Sequence, residues 1–295
     1  MFNQITSPNK TRVGVFVDAA NMLYNGGGRL QYAVLRDFAC RDGAEAVRLN
    51  VYVSYDAERA RQDPTYRARS GAFHAKLRDQ GFKINLVPVK WRQLEHTRIP
   101  QANADADLVA DAMLQSEMLD RVLLATGDGD FARLVQILQD RGRRVEVVGV
   151  DNVAGILRNK ADLFLSAYLI PNLVPVENDE DGKLPAWGEI GSRVRGWCYW
   201  MHESENYGFF RFLKCIPANL WVRDYDSPES PYEEAFFHLS KLPSSLRGNI
   251  QPSQQRIFEF TLIKAEKGNK PQAVDITLVS GLPEPSAAVS TGERA

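Results

Sequence analysis

The stretch that most constrains this chain is Val13-Gly-Val-Phe-Val-Asp-Ala-Ala-Asn21. Its first five positions are almost continuously apolar, the pattern of a strand covered on both faces and so of a central strand in a parallel sheet. A carboxylate, Asp18, closes the strand, and a carboxamide, Asn21, follows three residues on. An isolated buried charge is costly, so an acid here belongs in the crevice beyond the carboxyl end of the sheet, paired or bound to a cation. The simpler competing reading makes Asp18 the N-cap of the following helix.

A stretch of the same design recurs downstream. Val122 to Ala125 is again strand-like and ends in Thr126-Gly-Asp128-Gly-Asp130, before a helical run from Phe131 to Gln139. Two acids two residues apart cannot both cap one helix; one cap can be Asp130, and Asp128 is then unexplained by structure. Between the two stretches, Ala104 to Leu119 has helical spacing, with Leu108, Met113, Leu114 and Met118 on the core side. It opens on Asp105, Asp107 and Asp111. The helix dipole accounts for acids in the first turn. Asp107 and Asp111, at i and i+4, repel each other unless positive charge lies near.

The rest of the first half repeats the order strand, helix. Tyr32 to Ala39 is helical, Val47 to Val53 a strand, Ala68 to Gln80 a helix stopped by Gly81, and Phe82 to Val87 a strand. Val145 to Val150 and Val153 to Lys160 add one more strand and a short helix. The predicted fold is a three-layer α/β domain on a parallel sheet, over residues 10–175. Gly26-Gly27-Gly28 lacks both the Walker ending and the dinucleotide spacing, and reads as a flexible loop over the pocket. From Arg59 to Arg98 basic residues far outnumber Asp63, Asp79 and Glu95. Such a surplus is either a solvated helix face or a track for a phosphate backbone.

Residues 176–191 are acidic and punctuated by Pro and Gly, the composition of a linker. Residues 192–280 carry short aromatic-rich strands between turns, an all-β pattern. Residues 281–295, rich in Pro, Ser and Ala, read as a disordered tail. A formal net charge of −1 excludes a uniformly basic nucleic-acid binder. Three scattered cysteines indicate neither a disulfide framework nor a zinc knuckle. Met1 to Lys10 is polar without an apolar signal core, and no run reaches transmembrane length, so a soluble, cytoplasmic protein without a membrane partner is expected.

Asp18, Asp105, Asp128 and Asp130 would converge at one edge of the sheet. Carboxylates in one crevice raise each other's pKa unless a cation sits among them, and an all-oxygen donor set favours Mg²⁺ or Mn²⁺ over zinc. Such an ion suits phosphodiester hydrolysis, with Asn21 orienting a phosphate oxygen or a water.

These pieces, Phe16-Val-Asp-Ala-Ala-Asn21, Asp105-Ala-Asp-Leu-Val-Ala-Asp111 and Ala125-Thr-Gly-Asp-Gly-Asp-Phe131, resemble the three motifs of the NYN (LabA-like) family within the PIN-like ribonucleases. The resemblance spans about Arg12 to Val174 and implies a Mg- or Mn-dependent (endo)ribonuclease. Asp18, Asp105, Asp128 and Asp130 would be its metal-binding acids and Asn21 their polar partner, with Asp111 and Thr126 as ligand or support. Ala102 and Asn103 stand where a Lys-Gly pair commonly precedes the helix, and Thr126 where serine is more common.

In the second half, Trp200, Tyr207-Gly-Phe-Phe210 and Phe236-Phe-His238 resemble the cold-shock domain, a five-stranded OB-fold, over about Ser192 to Val279. By that match Trp200, Tyr207, Phe209, Phe236 and His238 would stack on the bases of single-stranded RNA; for each of these aromatics taken alone, a place in the core is the competing reading. Met201 and Leu239 replace family aromatics. The combined expectation is a ribonuclease fed by a weak single-strand binder, as a monomer or a homodimer. Two alternatives stay open: a non-catalytic RNA-binding regulator, and a small-molecule phosphohydrolase with the barrel as scaffold.

Overall fold

The computed structural model describes residues 10–94, 97–176, 185–202, 204–220, 225, 227–248, 250–265 and 270–281. Half of the expected linker (177–184 of 176–191) and all of the expected tail beyond Gly281 lie outside these residues, as do the first nine positions. The chain divides into two compact units, Met1–Pro175 with Ile216–Asp226, and Val176–Cys215 with Ser227–Ala295.

In the first unit, β1 (Arg12–Asp18), β2 (Glu45–Tyr55) and β3 (Lys83–Pro88) precede a short hairpin, β4 (Lys90–Leu94) and β5 (Thr97–Gln101). β6 (Arg121–Ala125), β7 (Arg144–Gly149) and β8 (Leu163–Ser166) follow. The helices are α1 (Ala19–Tyr24), α2 (Tyr32–Ala39), α3 (Ala57–Gln62), α4 (Pro64–Asp79), α5 (Asp105–Gln115), α6 (Ala132–Asp140) and α7 (Gly155–Lys160). Six strands form one sheet in the order β3-β2-β1-β6-β7-β8, every neighbouring pair parallel. The chain order reverses at β1, between β2 and β6. That reversal opens a crevice at the carboxyl ends of the strands, where open α/β sheets bind ligands.

The apolar runs explain the layering. Val13, Val15, Phe16 and Val17 in β1 and Val122 to Ala125 in β6 have no exposed surface, because helices cover both faces. Phe16, Leu108, Leu124, Val135 and Val147 belong to one core. α5 departs from expectation: it buries Leu108 and Ala112, with Met113 half-buried, whereas Leu114 is 70% exposed and Met118, in the 3₁₀ turn after the helix, 41%. Leu114 is two positions from Ala112, about 200° around the helix, so one stripe cannot take both. The triple glycine is likewise not a loose loop. Gly26 has φ of +98°, at a place where a Cβ would collide with the Tyr168 hydroxyl and crowd Asp151, and Gly27–Arg29 form a 3₁₀ turn packed on Met22.

The amino ends of the strands carry a buried charge network. Glu146, on β7, accepts from Arg41 Nη2 at 2.8 Å and from Arg144 Nε at 2.9 Å, while Arg121, at the start of β6, pairs with Asp42. The Arg41 and Glu146 side chains are 0% and 1% exposed.

The second unit is a closed barrel of β9 (Arg193–His202), β10 (Tyr207–Leu213), β11 (Tyr232–His238), β12 (Ile257–Ile263) and β13 (Gln272–Ser280), in the order β10-β11-β13-β12-β9. A one-turn helix, α8 (Ser244–Arg247), lies between β11 and β12. Phe210, Phe212, Phe237, Phe258 and Phe260 fill the interior, with Phe210 stacked on Phe237 at 4.1 Å between centroids. Arg193 and Arg195 share Glu259 on the barrel wall. A closed five-stranded barrel is consistent with an OB-like domain.

Candidate active site and aromatic face

Asp18 is the last residue of β1 and only 5% exposed. Its backbone is extended (φ −80°, ψ 93°), and Oδ1 accepts from the Asn21 N–H at 3.0 Å. It therefore does cap α1, as the simpler reading required. That bond uses one carboxylate oxygen, so capping and ligand binding are not exclusive. Within α1, Asn21 Oδ1 accepts from the Gly127 N–H at 2.8 Å and ties the start of that helix to the loop after β6. This role was not visible in the sequence: the carboxamide oxygen holds the loop that carries the other acids.

In that loop the cap is Asp128 rather than Asp130. Asp128 Oδ1 accepts from the Asp130 N–H at 2.9 Å, because Asp128 is extended (φ −76°, ψ 125°) while Asp130 lies inside the 3₁₀ turn. Thr126, fully buried, accepts from the Asp128 N–H through Oγ1 at 3.2 Å. Asp105 stands at the first position of α5, half-buried, its N–H bonded to Asn103 Oδ1.

The four acids share one electrostatic neighbourhood. The Asp18 carboxyl is raised above its ordinary range by burial first, and further by the charges of Asp105 and Asp128, against bonds from the Asn21 and Ala20 N–H groups. Asp105 is raised by burial first and then by Asp128 and Asp130. Among the described residues none of the four forms a salt bridge with Lys or Arg. Nor do any three His, Cys, Asp or Glu side chains among the described residues form a group ready to hold a metal ion. The donor chemistry nevertheless suits a hard cation: oxygen ligands only, mutually repelling, and in no ion pair with Lys or Arg among the described residues. Asp111 sits apart. Its Oδ2 accepts from the Tyr52 hydroxyl at 2.8 Å, one turn from a second rung in which Asn50 Nδ2 donates to Gln115 Oε1 at 2.9 Å. Two residues two apart on β2 thus register α5, and so Asp105, on the sheet.

This arrangement fixes a pH dependence. A carboxyl whose pKa is raised in the folded state adds stability that is complete below its unfolded pKa and lost as pH rises through the folded pKa. Metal-free protein is therefore expected to lose stability from about pH 4 upward over that window, and thermal unfolding in chelator should show the loss reduced in Asp18→Asn.

On the barrel, Trp200, Tyr207, Phe209 and Phe236 gather on one outer face. Trp200 to Tyr207 and Tyr207 to Phe236 are each 5.6 Å between centroids, and Phe209 to Phe236 is 5.8 Å. None is in the core, and Trp200 is 40% exposed. His238, directly opposite Tyr207 in the β10–β11 register, is exposed and bonded to Ser240. Two rings escaped the sequence reading. His202 stacks on Tyr207 at 5.4 Å and 12°, and Tyr199 reaches Phe209 at 6.5 Å. Tyr199 does so because the register slips between Phe209 and Phe210, a bulge that breaks strict alternation. Arg211 lies over Tyr199 at 4.0 Å and Lys270 over Phe209 at 4.9 Å. Both also bond Glu234; burial works against its ionisation, but Lys270, Tyr199 and Arg211 hold its carboxyl down to about 2.

A family model described as the NYN domain matches residues 12–170. The chain belongs to the NYN domain family. The matched residues contain the whole six-stranded sheet and all four acids. The NYN chain is also 28% identical over 163 residues to the Low amplitude and bright protein LabA of Synechococcus elongatus, covering 52% of this chain and 83% of that protein. A crystal structure of a protein of unknown function from Vibrio parahaemolyticus is 28% identical, covering 55% of this chain and 96% of the other, with a TM-score of 0.46. Among the described residues no helix is long and apolar enough to cross a membrane.

Proposed function

We propose that this NYN protein is a metal-dependent ribonuclease that hydrolyses phosphodiester bonds of single-stranded RNA, with the barrel holding the strand by stacking. The observation that carries the reading is the set of acids at the switch point of the sheet, in no ion pair among the described residues and two of them with raised pKa values. Membership of the NYN family supports it.

Asp18, Asp105, Asp128 and Asp130 would hold Mg²⁺ or Mn²⁺. When bound, the ion supplies neutralisation of the scissile phosphate and activation of a water for in-line attack. Asn21 and Thr126 keep the Gly127–Asp130 loop in place through the bonds described above, and the Tyr52–Asp111 bond fixes α5. The outer rings of the barrel offer stacking platforms worth about 1–3 kcal/mol per base without sequence choice. A tethered weak binder raises the local concentration of strand at the acids.

A second reading, a non-catalytic RNA-binding protein, is favoured by one observation: no ready-made metal group exists among the described residues. Labelled single-stranded RNA separates the two. Cleavage is expected with Mg²⁺ or Mn²⁺ and none with chelator, whereas binding without cleavage under both conditions selects the second reading.

A further inference from the structure

The basic stretch visible in the sequence serves neither the crevice nor the barrel face, and much of it falls on α4. This helix carries Arg67, Arg69, Lys76 and Arg78, and no acid before Asp79, its last residue. An ordinary solvated helix face pairs its charges at i and i+4. Of the four cations only Arg67 has an acid four positions away, Asp63. That carboxylate already accepts from the Tyr66 N–H at 2.9 Å and pairs with Arg59 at 3.5 Å. All four cations are exposed, and none forms an ion pair among the described residues.

The helix period sorts these charges into two rows. At about 100° per residue, Arg67 and Arg78 fall about 20° apart on one flank, and Arg69 and Lys76 about 20° apart on the other. The packed side lies between them: His74 and Leu77 are buried, and Phe73 meets the Tyr32 ring at 5.9 Å. On the open side, Ala68, Gly71, Ala72 and Ala75 are exposed and too short to keep a phosphate from either row. From Arg67 to Arg78 the rows run about 16 Å. They start at the rim of the crevice. Asp18 is in register with Tyr52 on β2, which ends three residues later at Tyr55, and α3 and α4 follow. Because β3 runs parallel to β2, α4 returns toward the amino ends, so Arg67 and Arg69 stand nearer the rim than Lys76 and Arg78.

We propose that α4 is a phosphate rail: Arg67, Arg69, Lys76 and Arg78 hold the backbone of a single strand that runs from the acidic crevice along the helix. The proposal deepens the ribonuclease reading and rests on it for what happens to the strand at the rim. It also reconciles a net charge of −1 with a polyanionic partner, since these cations are gathered on one helix. Backbone contacts of this kind position a strand without reading its sequence.

Anisotropy of a labelled single-stranded RNA, with full-length protein in chelator, tests this. For Arg67→Ala/Arg69→Ala/Lys76→Ala/Arg78→Ala the slope of log affinity against log salt should shrink by about 3, from four contacts of about 0.7 each. Affinity should fall about 10²–10³-fold at about 0.1 M salt and converge on wild type as salt rises. Alanine is the best helix former, so exposed positions of α4 should tolerate it. If the quadruple variant nevertheless melts early, Arg69→Ala alone must still lower the slope by about 0.7. Arg12→Ala/Arg48→Ala removes exposed charge from the amino halves of β1 and β2 and should leave the slope unchanged. A wild-type slope in the folded α4 variants, or the same loss per charge in the control, overturns the rail. That outcome beside intact wild-type cleavage leaves the nuclease standing, whereas absent wild-type cleavage with a reduced α4-variant slope removes the nuclease and keeps the rail.

Discussion

Asp18→Asn and Asp128→Asn are each expected to lower cleavage of single-stranded RNA by about 10³-fold, the rate equivalent of about 4 kcal/mol of transition-state stabilisation from a held divalent ion. Asparagine keeps an oxygen for each cap, to the Asn21 N–H and the Asp130 N–H, so α1 and the 3₁₀ turn should survive. What it removes is charge at the crevice. Single-strand affinity in chelator should be unchanged or slightly stronger, since a negative group has left the neighbourhood of a polyanion. The contrast with Asp111→Asn is informative, because Asp111 holds Tyr52 rather than joining the other acids. A milder loss is expected there, arising from a less firmly registered α5. Turnover assays and oligonucleotide binding on the same preparations check both points. Cleavage at the wild-type rate by either Asp18→Asn or Asp128→Asn contradicts the assignment.

The second large effect is on folding. Glu146→Ala is expected to cost about 3–5 kcal/mol of stability, the usual result of stranding one member of a buried ion pair. Glu146 is the anion for both Arg41 and Arg144, and the Arg41 guanidinium is fully buried between it and the Phe38 carbonyl. Burial already pulls the Arg41 pKa down, and the charge of Glu146 opposes that pull. Replacing both partners by apolar residues, Arg41→Met with Glu146→Leu, should cost far less than the single change. Urea unfolding measures the difference. The network stands at the amino ends of β6 and β7, so turnover per folded molecule should not change. A loss below about 1 kcal/mol would mean that the pair is not the buried unit described.

What the sequence disclosed follows from where information is local. β1 and β6 were legible almost to the residue because burial on both faces writes a continuous apolar run. The βα order then placed Asp18 and Asp128 at one rim without any contact being known. The choice of Asp130 as the cap failed because capping depends on backbone angles, and the 3₁₀ turn gives the extended position to Asp128. Leu114 and Met118 looked like core because apolar identity does not reveal the width of the covered stripe. The Tyr52–Asp111 and Asn50–Gln115 rungs join elements distant in the chain, so no local spacing announces them. On the barrel, alternation from Trp200 extends to His202, yet Tyr199 reaches the face only through a bulge.

The central claim is that the crevice acids are a liability alone and a site with a cation. Thermal unfolding of wild type and Asp18→Asn at neutral pH, in chelator and then in Mn²⁺, tests it most directly. The account predicts that Asp18→Asn melts higher than wild type in chelator, and that Mn²⁺ raises wild type past the variant while moving the variant little. Wild type melting higher in chelator, with neither protein shifted by Mn²⁺, would contradict it.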